Sequence, residues 1–139
     1  RDRLRSRGLG DVYKRQEHLI DAFMPRTRRN NTYCKTLSGV SDERIKSVRT
    51  IDGLREVFNN DRYHKVNFEA YSRHRTVEFR QHSGTTNFTK MENWIRFLNG
   101  LITFAKRSSL PSRMTLEGLP FLDGKQKLFF KLRTKKLAV

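Results

Sequence analysis

The 139-residue chain has a single cysteine, Cys34. One thiol excludes an internal disulfide and any zinc site built from several cysteines. No apolar run approaches the roughly 18 residues of a membrane helix, and the opening residues lack the apolar centre of a secretory signal. Cytoplasmic residence is the default expectation. Internal repeats and low-complexity tracts are also missing. Acid is scarce: 14 Asp and Glu stand against 30 Lys and Arg, a formal charge of +16. Such an excess points to an anionic partner, either nucleic acid or a phosphate- or carboxylate-bearing ligand.

Part of the charge sits at the start. Residues 1–16, RDRLRSRGLGDVYKRQ, resemble translated sequencing-adapter read-through and show no apolar periodicity. The expectation is a non-native, disordered segment that packs on nothing. It holds six basic and two acidic residues, so the other 123 keep 24 basic against 12 acidic, still +12. That length suits one domain with a modest core.

Along the chain, Leu19, Ile20 and Phe23 give residues 17–24 one apolar side of a helix, and Pro25 stops it. A polar loop follows, with Arg26, Arg28 and Arg29 clustered in it. This cluster reads as a solvated loop or as an oxyanion contact. Tyr33 and Cys34 read as packing residues. Residues 42–48 allow a helical turn or two. Thr50 can cap a helix carrying Ile51, Leu54, Val57 and Phe58, closed by an Asn59-Asn60-Asp61 turn. Thr89 and Glu92 have the spacing of a capping box. The helix they open runs to about residue 107, with Met91, Trp94, Ile95, Leu98, Leu101, Ile102 and Ala105 inward. Residues 108–113 read as a linker and 115–122 as a short helix. Residues 123–137 read as a basic amphipathic helix with Leu128, Phe129, Leu132 and Leu137 inward.

The most informative stretch is 62–85, RYHKVNFEAYSRHRTVEFRQHSGT. Residues 63–71 and 76–82 alternate with period two, as strands do. His64, Val66, Phe68 and Ala70 share one face of the first run, and Lys65, Asn67 and Glu69 the other. In the second run Val77 and Phe79 oppose Thr76, Glu78, Arg80 and His82. A four-residue link would set Phe68 opposite Phe79, Asn67 opposite Arg80 and Glu69 opposite Glu78. Two facing glutamates call for a cation between them, Arg80 or a metal ion. A solvated, mixed-charge strand face is the plainer alternative.

TVEFRQHSGT, preceded by RYHKVNF and followed by Trp94, resembles the amidoligase family, and MPRTRRNNTYCKTL upstream is similar to a further family segment. The resemblance covers roughly residues 19–106. It implies an α+β fold, the C-terminal part of a glutamine synthetase-like fold, with an antiparallel β-hairpin packed against helices. It implies an ATP-dependent carboxylate–amine ligase working through an acyl phosphate, with Mg²⁺ on the inner face of the sheet. By resemblance, Glu78 binds the metal and Arg80 contacts phosphate as catalytic residues. Arg62, Asn67, Gln81, His82 and Thr85 line the cofactor site.

The family's first acidic strand and its histidine-bearing strand have no counterpart here. The expectation is therefore that residues 17–139 form the C-terminal portion of one catalytic domain, inactive alone and exposing apolar surface on the hairpin and the long helix. Arg75 occupies a position in the hairpin link where glycine is expected. Two other readings stay open, a basic nucleic-acid-binding module and an inactive interaction domain. No nucleic-acid motif accompanies the charge, and most aromatic residues fall at core-facing positions. Oligomeric state and the identity of the carboxylate and amine are not encoded in any motif.

Overall fold

The architecture is α+β, seen in a computed structural model that describes residues 2–108 and 114–138. Helix α1 (Asp2–Arg15) leads into α2 (Glu17–Ala22), and a 3₁₀ turn at Arg26–Arg28 follows Pro25. Next come α3 (Asp42–Ser47), α4 (Ile51–Val57), β1 (Val66–Asn67), α5 (Ala70–His74) and β2 (Glu78–Phe79). The chain closes with α6 (Phe88–Ala105) and α7 (Gly124–Leu137). The expected linker at 108–113 lies almost wholly outside the described residues. Among those described, no helix is long and apolar enough to cross a membrane.

The expectation of a segment that packs on nothing is not met by the described residues: 2–15 are helical, and residues 9–13 are buried. α1 packs against α6, α3 and α4. Leu9, Val12 and Tyr13 lie in the core, with Val12 1% and Tyr13 0% exposed. The three lie close to one helical face, so a sequence without strong periodicity still supplies a buried stripe. Gly8 fixes the approach to α6. A Cβ there would sit 2.7 Å from the Ala105 carbonyl oxygen. Gly8→Ala gains helix propensity but forces the two backbones apart, a net loss of about 1–3 kcal/mol. Urea denaturation measures this, and unchanged stability would mean that α1 does not dock on α6.

Short helices begin where side chains cap them. Ser41 accepts from the Arg44 amide, and Thr50 from the Gly53 amide at 2.9 Å. Asp123 and Gln126 form a reciprocal capping box on α7. On α6 the cap is Asn87, which accepts from the Lys90 amide, rather than Thr89. Asn87 lies at the end of an extended segment, and its carboxamide reaches the third amide of the helix. Residues 115–122 form turns, not a helix, as Gly118 and Pro120 favour.

Trp94, Phe97, Leu101 and Ala105 bury the inner face of α6. Phe97 is the hub of the core, meeting Phe23, Trp94, Phe121 and Phe130. Phe88, Met91 and Ile95 lie on the open side of α6 with 71%, 38% and 57% exposure, so Met91 and Ile95 are not inward. α7 differs likewise. Phe130 is the buried residue, while Leu128 and Leu132 are each 57% exposed. Phe130 wins that face because its ring fills the gap between Phe23 and Phe97.

The hairpin exists, in a different register. Val66 pairs with Phe79 and Asn67 with Glu78, antiparallel. The shift is two residues, so every side chain keeps its face. The cause is local. Residues 70–74 form a helical turn closed by Arg75 at φ 58°, and the link is longer than a four-residue turn. Arg75 takes the left-handed conformation that glycine would adopt at least cost, and its guanidinium lies over the Tyr71 ring at 5.2 Å.

Candidate active site

Three backbone features bring the site together. The β1–β2 pair sets Asn67 across from Glu78. The pairing continues where the Arg80 amide donates to the Lys65 carbonyl at 2.9 Å. The loop before β1 brings Arg62 and Tyr63 alongside.

Asn67 Nδ2 donates to Glu78 Oε2 at 2.8 Å, and Arg80 Nη1 donates to Glu78 Oε1 at 3.0 Å. Arg80 Nε reaches the Tyr33 carbonyl at 3.3 Å. The guanidinium groups of Arg62 and Arg80 lie over the Tyr63 ring, 4.8 and 5.3 Å from its centroid. Arg62 also donates to the Tyr63 hydroxyl at 2.7 Å. These residues line an open groove of about 570 Å³. The Glu78 carboxylate is 48% exposed. An ion pair that open contributes about 0–1 kcal/mol, so Glu78 and Arg80 can exchange each other for a ligand at small cost.

Glu69 does not face Glu78. In the shifted register it leaves the ladder and takes a bidentate partner, Arg55, at 3.1 and 2.6 Å. The cation expected between the two glutamates is therefore two separate arginines.

Four of the seven expected site residues, Arg62, Asn67, Glu78 and Arg80, share the groove. The other three do not. Gln81 is fully buried, accepting from the Tyr13 hydroxyl at 2.6 Å and donating to Asp21. It anchors the strand from inside. His82 turns away, its ring 5.3 Å from that of Trp94 and its Nδ1 2.6 Å from the Ser83 carbonyl. Burial, then the nearby cations Arg133, Lys90 and Arg28, hold its pKa below the ordinary imidazole value. Thr85 Oγ1 accepts from the Asn87 amide at 3.1 Å and so braces the start of α6.

Beneath the groove is a charged cluster that strand alternation conceals. Lys65 is 0% exposed. Its ammonium donates to Glu17 Oε1 and to both oxygens of Asp21, at 2.8 and 2.9 Å. Glu17 also accepts from the Leu37 amide at 3.0 and 3.1 Å. Burial raises the Asp21 pKa, outweighing Lys65 and Gln81, which lower it. Tyr13, Gln81, Asp21, Lys65 and Glu17 thus tie α1 and α2 to both strands. The available signal was the acidic pair Glu17 and Asp21, one turn apart on the helix that carries Leu19 and Ile20. Cys34 is buried, its thiol donates to the Arg28 carbonyl at 3.1 Å, and burial raises its pKa. It is a packing residue, with no feature of a nucleophile.

Residues 6–102 match the family described as Putative amidoligase enzyme. The match covers well over half of the chain and begins inside the segment with adapter-like composition. Comparison with curated proteins and with solved structures gave no match. The family match spans the EFRQHSGT stretch, and the chain belongs to the amidoligase family.

Proposed function

We propose that the groove binds Mg·ATP in an ATP-dependent carboxylate–amine ligase. The observation that carries this reading is the Glu78–Arg80 pair. An acid and a guanidinium share one strand face, half open to a groove, and are bonded to each other only weakly. ATP would supply the phosphoryl group that activates the carboxylate as an acyl phosphate for attack by the amine.

The donor set fits magnesium in one specific way. Among the described residues, no group of three or more His, Cys, Asp or Glu could hold a metal ion. Glu69 is held by two donors of Arg55, whereas the more open Glu78 takes a single contact from Arg80, which leaves it the groove carboxylate free to turn to a metal. Mg²⁺ is commonly bound through one or two carboxylates together with substrate phosphates and water. Glu78 suffices for that mode, oriented by Asn67. Arg80 and Arg62 supply forked donors for phosphate oxygens, and Tyr63 holds both guanidinium groups at the groove wall.

With so few carboxylates, this chain is expected to bind Mg·ATP without completing a ligase cycle. Isothermal titration with ATP, with and without Mg²⁺, tests the reading. The expected result is saturable binding that Mg²⁺ strengthens about tenfold or more. Equal affinity with and without Mg²⁺, or no binding, would remove Glu78 from its metal role and the nucleotide from the groove.

A further inference from the structure

A second group of cations lies beyond that groove. It comprises Arg28 in the 3₁₀ turn, Lys90 in the first turn of α6 and Arg133 on α7, gathered about His82. None of the four lines the Glu78 groove.

The packing explains why they meet. Arg28 Nη1 donates to the Arg80 carbonyl at 3.4 Å, two residues before His82. His82 lies against Trp94, and Lys90 is one helical turn before Trp94 on the same face of α6. Phe130 docks α7 against Phe23 and Phe97, with centroids 4.4 and 5.4 Å apart. Arg133 is three residues further along that face. Arg29 Nη2 donates to the Leu137 carbonyl at 3.2 Å, which fastens the 3₁₀ turn to the end of α7.

The decisive contrast concerns partners. Lys14, Arg15, Arg55, Lys65 and Arg80 each have a carboxylate within 3.0 Å. Arg28, Lys90 and Arg133 are also only partly exposed, yet among the described residues no carboxylate pairs with any of them. Like charges brought together in partly desolvated surroundings repel. An incoming anion relieves that repulsion and takes charge-assisted hydrogen bonds from all three. The amino-terminal end of α6 adds partial positive charge on the same side.

We propose that Arg28, Lys90, Arg133 and His82 form a binding site for a dianionic oxyanion, the chemistry shared by a phosphoryl group and a dicarboxylate. The low pKa of His82 comes first from burial and then from the same three cations, which disfavour a further positive charge until an anion offsets them. Nδ1 faces the Ser83 carbonyl, which leaves Nε2 for the ligand.

The test is titration calorimetry on the whole chain, free of Mg²⁺ and nucleotide, with inorganic phosphate and glutarate as separate probes. Saturable binding of at least one probe is expected. Arg133→Gln and Lys90→Gln should each weaken it about tenfold. Lys90 makes no side-chain bond among the described residues, so Lys90→Gln keeps the test valid if Arg133→Gln unfolds. Tighter phosphate assigns the site to a phosphoryl ligand, and tighter glutarate to a carboxylate ligand. Absence of saturation by either probe, or equal affinity in the wild type and both variants, overturns the proposal. Weakening by Arg62→Gln instead, with Lys90→Gln and Arg133→Gln at wild-type affinity, would place the anion in the Mg·ATP groove and overturn it too. Because metal and nucleotide are absent, failure of the ligase reading leaves this result standing.

Discussion

Lys65→Met is expected to remove about 3–5 kcal/mol of stability, the usual consequence of deleting one partner of a buried ion pair. Methionine keeps most of the length of the stem, so the change tests charge rather than packing. It leaves Glu17 and Asp21 facing each other without the ammonium that now bonds both. A domain of this size has roughly 5–15 kcal/mol in total, so about a fifth or more is at stake. The pH dependence separates this cause from a cavity. Asp21 already has a raised pKa from burial, against the lowering influence of Lys65. Its folded form therefore binds a proton more readily than its unfolded form, and stability from this group is present at low pH and lost as pH rises. Without Lys65 the shift grows. Urea denaturation should show the variant regaining stability between pH 7 and pH 5 relative to the wild type. A deficit independent of pH would mean that the cluster acts through packing alone.

The groove variants should divide differently. Glu78→Gln preserves the shape and the Asn67 contact but removes the charge that magnesium needs. It should cost about tenfold or more in Mg·ATP affinity and leave metal-free ATP binding as tight or tighter. Arg80→Lys keeps the charge and loses the fork. It should weaken ATP about 10- to 100-fold with or without metal, since a hydrogen bond to a charged group contributes about 1.5–3 kcal/mol. Neither should cost more than about 1 kcal/mol of stability, because their mutual ion pair is half exposed.

Period-two alternation was enough to place Asn67, Glu78 and Arg80 on one face, since a register shift of two leaves faces unchanged. The register itself depended on whether residues 70–74 would coil into a helical turn, a tertiary choice that a run of Tyr, Ser, Arg and His does not announce. Alternation misled at Lys65, and the resemblance at Gln81. Alternation set Lys65 on the polar face beside Asn67, while Gln81, which alternates with Val77 and Phe79, was assigned to the cofactor site by the family resemblance; both are fully buried by partners from α1 and α2. Those partners lie 44 or more residues away, beyond any local pattern. Tyr13 was lost for another reason. An adapter-like composition argued for discarding a helix whose Leu9, Val12 and Tyr13 complete the core. The Thr50 cap was readable because capping chemistry is local, whereas the Thr89–Glu92 spacing misplaced the start of α6, which Asn87 caps.

The most direct test compares Glu78→Gln, Arg80→Lys and Val77→Asp by Mg·ATP titration and thermal melting side by side. Val77 packs against the core from the other face of the same strand, so aspartate there buries a charge and should lower the melting temperature. The account predicts that Glu78→Gln loses its magnesium dependence and Arg80→Lys loses affinity, both with near-wild-type melting, while Val77→Asp loses stability. Wild-type Mg·ATP affinity in both groove variants, with Val77→Asp alone impaired, would show that this strand face is structural and contradict its assignment to the ligase site.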